Sequence, residues 1–168
     1  MRTSIENLML MSDSRSDVTV RPASTDDLPR IVELQLELGE HHRELEPENP
    51  RYKIGEEQWT FLLDKAFENA SSKFLVAVRG EQVCGFVRLS MVDKPWGLGC
   101  EMETLVVDRN LRSTGIGKQL LERAEAVARQ AGARAIRANV LSRSTKGRRF
   151  YRENGYSEIA VRFGKPLE

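Results

Sequence analysis

The stretch that decides the fold is "RSTGIGKQLLERAEAVARQAG", residues 112–132. It opens with a polar segment that holds Gly115 and Gly117, and it continues as an Ala- and Leu-rich pattern that predicts a helix ending at Gly132. Before it, "CEMETLVVD", residues 100–108, predicts a strand. A glycine turn between a strand and a helix leaves backbone N–H groups unpaired at the positive end of the helix dipole. The turn is therefore suited to binding an anion, above all a phosphate.

Two common phosphate-binding motifs do not fit this turn. The Walker A motif requires a glycine where Arg112 stands and a serine or threonine in place of Gln119. The dinucleotide-binding fingerprint requires a third glycine where Leu120 stands. The pattern that remains is Arg-x-x-Gly-x-Gly, placed between a strand and a long helix. The alternative interpretation is a glycine turn that only begins the helix and binds nothing.

The other patterns predict helices and strands that alternate along one domain. We expect strands at 18–22, 73–78, 83–90, 133–140 and 156–163, and helices from Ser24 or Thr25 to Gly39, at 56–70 and at 145–154. Residues 40–51 are expected to form a loop, and one face of the second helix is expected to bury Trp59, Leu62, Leu63, Ala66, Phe67 and Ala70. The order predicts an α/β layered domain with a mixed, mostly antiparallel central sheet and helices on both faces.

Composition excludes several classes of protein. A chain of 168 residues is the size of one domain, and 26 Lys+Arg against 25 Asp+Glu favour neither nucleic acid nor an anionic membrane as partner. The first 17 residues carry no signal-peptide cleavage site, so we expect a cytoplasmic protein with a loose tail at 1–17 and a domain at 18–168. Translation could start at Met1 or at Met11. Cys84 and Cys100 are expected to be reduced, buried and structural.

The chain resembles the GNAT superfamily of acyl-CoA-dependent N-acyltransferases from about Val18 to its C-terminus. The resemblance rests on "VRPASTDDLPRIVEL" (20–34), "EMETLVVDRNLRSTGIGKQLLERA" (101–124) and "FYRENGY" (150–156). It implies acetyl-CoA as donor, with the pyrophosphate on the loop amides and the pantetheine arm along the preceding strand. The residues that it implies for this binding are Leu105, Val106, Val107, Arg112, Ser113, Thr114, Gly115, Ile116, Gly117, Lys118 and Ser144.

The resemblance also implies the groups that move protons. Tyr151 matches the tyrosine that protonates the departing thiolate in many relatives, and Glu101 matches the position of a general base, with Glu103 as the alternative. Adjacent helix residues diverge by about 100°, so we expect that Phe150 and Tyr151 do not face the same core. The sequence departs from the family at Ser144, where relatives often have asparagine.

Two groups of polar residues have a plainer interpretation. The basic residues of the last helix and the loop before it, Arg143, Lys146, Arg148, Arg149 and Arg152, are expected to be mainly a solvated surface, although one or two could meet the 3′-phosphate of coenzyme A. His41 and His42 have no cysteine or third histidine nearby, so we expect them to hold no metal. The resemblance implies instead that they line the acceptor cleft.

The sequence thus predicts an N-acetyltransferase that moves the acetyl group directly to a primary amine in a ternary complex, without a metal. Two alternatives stay open: a non-catalytic domain that senses acyl-CoA, and an enzyme that acetylates protein N-termini or lysines. A small-molecule amine is the expected partner, and both a monomer and a homodimer are compatible with the sequence.

Overall fold

Five strands form a single sheet in the computed structural model, which describes residues 17–165. Their order across the sheet follows their order in the chain, β1 to β5. The first four pair antiparallel, and β5 runs parallel to β4. The mixed, mostly antiparallel sheet predicted from the sequence is confirmed. The strands are β1 (Val18–Pro22), β2 (Ser72–Arg79), β3 (Gln82–Lys94), β4 (Gly97–Val107) and β5 (Ile136–Ala138).

Helices cover both faces of this sheet, as predicted. Helices α1 (Leu28–Leu45) and α2 (Glu56–Glu68) pack on one face, which we call the α1 face, around Ile31, Leu34, Leu63, Val76 and Phe86. Helices α3 (Ile116–Gln130) and α4 (Thr145–Glu153) pack on the opposite, α3 face, around Leu75, Val87, Leu89, Leu120 and Leu121. Short 3-10 turns occur at Thr25–Asp27, Pro50–Lys53 and Arg109–Leu111. None of the helices within residues 17–165 is long and apolar enough to cross a bilayer. The predicted tail at 1–17 lies outside the described residues, apart from Asp17.

The first helix is longer than the sequence predicts. It does not end at Gly39 but continues to Leu45, so the predicted loop at 40–51 begins only at Glu46. Contacts with the following turn hold this extension, because the His42 and Tyr52 rings lie 5.0 Å apart and Arg43 donates to the Tyr52 carbonyl at 2.8 Å. These contacts outweigh the cost of one helical glycine, which is about 1 kcal/mol.

Two predicted strands differ from the structure. Only Ile136–Ala138 of the predicted strand 133–140 is in the sheet, and residues 156–163 form no strand. Strand structure requires a hydrogen-bonded neighbour, and within residues 17–165 no strand pairs with the outer side of β5 or with residues 156–163. Alternation of apolar residues is visible in the sequence, but the presence of a neighbour is not.

The second helix buries a narrower stripe than predicted. Leu63 is fully buried and Trp59, Ala66 and Phe67 pack beside it, but Leu62 is 44% exposed. Ala70, also predicted on this face, lies beyond the helix and is exposed. Among the described residues the helix packs mainly against α1 and β2, so one side of it meets the core.

The two cysteines are free and buried on the α3 face, as expected for structural thiols. They lie in neighbouring strands at different heights, because Cys100 is opposite Met91 while Cys84 precedes Gly85, which is opposite Val107. Burial raises the pKa of Cys100 to about 11 and raises that of Cys84 as well, so neither is a thiolate at neutral pH.

A pair of helical glycines tests how tightly α4 is packed. A Cβ on Gly147 would lie 2.8 Å from Ser144 Oγ and 3.1 Å from Val140 Cγ1, whereas one on Gly39 would meet nothing within 4 Å. We expect Gly39→Ala to raise the free energy of unfolding by about 0.5–1 kcal/mol, through helix propensity alone. Gly147→Ala should instead lower it by about 1 kcal/mol or more, since overpacking outweighs propensity. Urea unfolding of both variants measures this, and equal stabilisation by the two would contradict the packing described.

Candidate functional site

The candidate site lies where β4 and β5 part. Their parallel pairing covers only Cys100–Met102 of β4 against Ile136–Ala138 of β5. Strand β4 continues to Val107, so within the described chain no strand pairs with its outer edge after Met102. The backbone groups on this edge are open to a ligand in the way that an edge strand is open to an added strand.

A β-bulge in β4 accompanies the parting of the strands. Opposite β3, Leu89 pairs with Met102 and Arg88 pairs with Thr104, which leaves Glu103 without a partner. The bulge changes the alternation of side chains along β4. Cys100 and Met102 face the α3 side before it, and Leu105 and Val107 face that side after it.

The turn after β4 is held by α1. The Asp108 carboxylate is buried, accepts a hydrogen bond from the Asn110 amide at 2.9 Å and contacts the Arg30 guanidinium. The Arg109 amide donates to Glu37 at 3.2 Å. These contacts place the start of the glycine loop at a defined distance from α1, and they rest on side chains that the sequence analysis did not single out.

The glycine loop offers a run of unpaired amides. Ser113 and Gly115 have φ angles of 62° and 91°, and Ser113 is the one non-glycine residue with positive φ among residues 17–165. Backbone that alternates in this way forms a concave nest of N–H groups. Within the described chain, none of the amides from Arg112 to Lys118 donates to an acceptor. Since these amides lie just before α3 and in its first turn, the loop has the chemistry of an anion site.

Gly117 sits where the loop meets α4. A Cβ at this position would lie 3.4 Å from the Phe150 ring and 3.7 Å from Val107. A methyl group would fit in ordinary contact, but a larger side chain would press on Phe150 or project into the space in front of the amides.

Tyr151 extends from α4 to the point where the strands part. Its hydroxyl lies 3.3 Å from Met102 Sδ, and its ring contacts those of Phe150 and Tyr156 edge to face. Burial raises the pKa of Tyr151 to about 12, so the phenol keeps its proton at physiological pH. The expectation that Phe150 and Tyr151 face different cores is wrong. Both pack against the α3-face cluster, because Phe150 lies over Gly117 while Tyr151 reaches along the sheet to Met102.

Glu101 and Glu103 lie on the opposite face of the sheet from Tyr151. Glu101 is 3.5 Å from Arg137, and Glu103 is 3.7 Å from Arg88. Arg88 is mostly buried, its Nε has no acceptor in the described chain, and burial lowers the pKa of its guanidinium although Glu103 opposes that shift. These distances are longer than well-formed hydrogen bonds, so the arginines and carboxylates of both pairs keep donors and acceptors that a polar ligand could use.

The sequence analysis missed both arginines. The available signal was an arginine within each of two largely apolar strand segments, Arg88 in "VCGFVRLS" and Arg137 in "ARAIRANV". A charge at such a position requires a partner or a ligand, because burying it alone is costly.

Ser144 caps α4, accepting a hydrogen bond from the Gly147 amide at 3.3 Å. The arginines around it are largely paired. Arg148 and Arg152 bind Glu158, Arg149 binds Glu153, and Arg143 donates to the Leu45 carbonyl at the end of α1. This agrees with the solvated surface expected for most of the basic cluster, and it adds ion pairs that the sequence analysis did not predict.

His41 and His42 lie near the C-terminal end of α1. His41 is 3.7 Å from Glu44, and His42 packs half-buried against Tyr52. Burial, assisted by His41, lowers the pKa of His42, so it is neutral at pH 7. Among residues 17–165, no three His, Cys, Asp or Glu side chains are grouped to hold a metal ion.

The model of the Acetyltransferase (GNAT) family matches residues 32–156 of this chain. The chain belongs to this family. The match covers the bulge, the glycine loop and Tyr151, and it confirms the resemblance seen in the sequence. An aminoalkylphosphonate N-acetyltransferase of Salmonella typhimurium is 29% identical over 167 residues, which cover 95% of this chain and 100% of that relative. This GNAT protein is therefore an acetyltransferase.

Solved structures share its fold. An aminoglycoside acetyltransferase from an uncultured soil metagenomic sample, in complex with trehalose, is 19% identical with a TM-score of 0.71, covering 91% of this chain and 98% of its own. A GNAT family acetyltransferase of Staphylococcus aureus is 18% identical with a TM-score of 0.68, covering 90% and 99%.

Proposed function

We propose that this GNAT protein transfers the acetyl group of acetyl-CoA to a primary amine of a small molecule, by direct attack in a ternary complex. The observation that carries the proposal is the opening between β4 and β5, which has the loop amides at one end and Tyr151 at the other. The pantetheine arm would lie along Leu105–Val107 as a short added strand. The pyrophosphate would bind the amides of residues 112–118, and a coenzyme contact of Ser144 would add to its capping role.

The opening separates the proposed acid from the proposed base. Tyr151 lies on the α3 side of β4, whereas Glu101 and Glu103 lie on the α1 side. A thioester held between the strands would turn its sulfur to Tyr151 and leave its carbonyl open to an amine arriving from α1. The nitrogen attacks the carbonyl carbon and the C–S bond breaks. The thiolate takes the Tyr151 proton while the carboxylate, directly or through water, receives the amine proton.

Direct transfer is favoured over an acetyl-enzyme intermediate. The cysteines are buried, and burial raises the pKa of both thiols, so neither offers a thiolate to the opening. We also propose that the enzyme is cytoplasmic, since acetyl-CoA is available as a donor there.

The charges on the α1 side favour an amine that also carries an anionic group. Carboxylates of Glu101 and Glu103 would attract the ammonium form of the acceptor, and Arg88 and Arg137 would bind its anion. The name of the Salmonella relative, an aminoalkylphosphonate N-acetyltransferase, supports a small acceptor of this kind. We therefore propose a short aminoalkyl phosphonate, phosphate or carboxylate as the acceptor class, in preference to a protein lysine or N-terminus.

A panel of amines tests the function. Coenzyme A thiol release should be faster with short aminoalkylphosphonates than with alkylamines of equal length that lack the anion.

The Gly117→Val variant tests the loop. It should abolish both thiol release and acetyl-CoA binding, the latter measured by calorimetry, because the valine side chain would crowd the phosphate and the Phe150 ring. Circular dichroism checks that the variant is folded. Undiminished acetyl-CoA affinity in folded Gly117→Val would contradict the loop assignment, and an inert wild type across the panel would contradict the proposed acceptor class.

Matched glutamine variants test the base. Glu101→Gln should slow turnover by about 10²–10⁴-fold and move the pH optimum upward, since the amine must then lose its proton to solvent. Glu101→Gln removes the ion pair with Arg137, and Glu103→Gln removes the ion pair with Arg88. The second variant therefore controls for the loss of an ion pair. If Glu103→Gln has the larger effect, the base is Glu103.

Tyr151→Phe tests the acid. Single-turnover acetyl transfer should fall by about 10²–10⁴-fold with little change in acetyl-CoA affinity, because the proton moves only as the thiolate departs. Since burial raises the pKa of Tyr151 to about 12, the wild type should show no loss of its acid near pH 10, where an exposed tyrosine ionises. Tyr156→Phe, on the adjacent ring, is the control. Equal rates for wild type and Tyr151→Phe would make Tyr151 a packing residue.

A further inference from the structure

A buried glycine lies beneath the Arg137 guanidinium. Gly99 precedes Glu101 by two residues in β4, so both positions belong to the α1 face of the sheet. A Cβ on Gly99 would lie 3.8 Å from Arg137 Nη1, and the same nitrogen is 3.5 Å from Glu101. The guanidinium therefore lies across β4, over a position that has no side chain to displace it.

The pairing of β4 and β5 directs Arg137 to this place. Arg137 is opposite Glu101 in the parallel register, and its neighbours Ile136 and Ala138 pack against the α3-face cluster. Because side chains alternate along a strand, Arg137 extends to the α1 face. Its side chain is 33% exposed, so a ligand can reach the guanidinium from solvent.

Lys94 approaches the same glycine from β3. The register of β3 and β4 places Val92 opposite Gly99 and Lys94 opposite Gly97. A Cβ on Gly99 would also lie 3.8 Å from Lys94 Cγ. Within the part of the chain that the structure describes, Lys94 forms no ion pair. Arg137 and Lys94 thus bring two positive charges to the surface over Gly99, beside one carboxylate.

We propose that the surface over Gly99 binds the anionic group of the acceptor, with Arg137 and Lys94 as donors and Gly99 as a positioning residue. The inference rests on the proposed function and adds two residues to it. The planar fork of Arg137 can donate to two oxygens of one anion, and the Lys94 ammonium can donate to a third. A phosphonate has this third oxygen and more negative charge than a carboxylate, so it is the anion that the pair of cations matches.

The size of the side chain at position 99 tests the positioning role. An alanine Cβ would be in ordinary contact, 3.6 Å from the Val92 carbonyl oxygen, whereas the added methyl groups of valine would displace the Arg137 and Lys94 side chains. Gly99→Val should raise the KM for 2-aminoethylphosphonate about tenfold more than the KM for propylamine, with little change in kcat. Gly99→Ala should have a smaller effect in the same direction.

Removal of one charge tests Lys94 without a change in the strand backbone. Lys94→Gln should raise the KM for 2-aminoethylphosphonate by about tenfold, because a charged hydrogen bond to the anion is lost. Lys73→Gln is the matched control. Lys73 is exposed on β2 opposite Leu89, a residue of the α3-face cluster, so its charge lies on the other face of the sheet. Circular dichroism checks that the variants are folded, and Lys94→Gln keeps the test valid if Gly99→Val is not.

Binding of methylphosphonate, which has no amine, separates this inference from acetyl transfer. In an NMR titration of the whole chain with coenzyme A present, methylphosphonate should shift the Gly99 amide and the Arg137 Nε–H signals, and Lys94→Gln should weaken this binding. These shifts in a protein that acetylates no amine would support the anion site and contradict the proposed function.

The opposite result overturns the inference alone. Acetylation of 2-aminoethylphosphonate with a KM that Lys94→Gln and folded Gly99→Val leave unchanged would leave the proposed function standing and remove the site over Gly99. Methylphosphonate shifts confined to the amides of residues 112–118 or to Arg88 would do the same.

Discussion

The loss of pairing between β4 and β5 after Met102 is the constraint on which the site depends. In a continuous sheet, every backbone group of β4 would be paired, and a ligand would have no access to the strand. Here the bulge at Glu103 and the end of β5 at Ala138 leave the edge of β4 open along its last five residues. The amide-rich loop stands at one end of this edge, and the Tyr151 hydroxyl reaches the other. A gap in the hydrogen bonding thus supplies what a binding site needs, which is main-chain polarity without a partner.

Much of the fold could be predicted because it follows from local sequence patterns, namely hydrophobic periodicity and turn residues. Strands β2 and β3, the strand before the glycine loop and the long helix after it all appear where periodicity and turn residues place them. The errors occur where distant contacts decide. Gly39 does not end α1, because Tyr52 and Arg43 stabilise the turns beyond it. Leu62 is exposed because no element among residues 17–165 covers that side of α2. The strand pattern at 156–163 is real, but no neighbour is present within the described chain.

The candidate site was predictable in part for a similar reason. The glycine loop and Tyr151 carry a local signature that family resemblance picks out. The bulge at Glu103 does not, because one extra residue in a strand leaves no mark on composition. Its effect is to reverse the alternation on β4, which counting residues along the strand misses. Arg88, Arg137 and Asp108 were overlooked for the opposite reason. Each is a charge in or beside a largely apolar segment, and its role depends on a partner that is distant in sequence.

The contact between Asp108 and Arg30 attaches the first half of α1 to the glycine loop more firmly than the second half. Its first turns are fastened to the base of the loop, and Glu37 and Glu40 extend this attachment through Arg109. Its last turns, from His41 to Leu45, contact the Tyr52 turn and Arg143. Substitutions in the last turns are therefore expected to change the α1 side of the proposed acceptor site without displacing the loop. Under the proposed function, a helix anchored at one end and adjustable at the other would allow acceptor preference to diverge while donor binding stays constant.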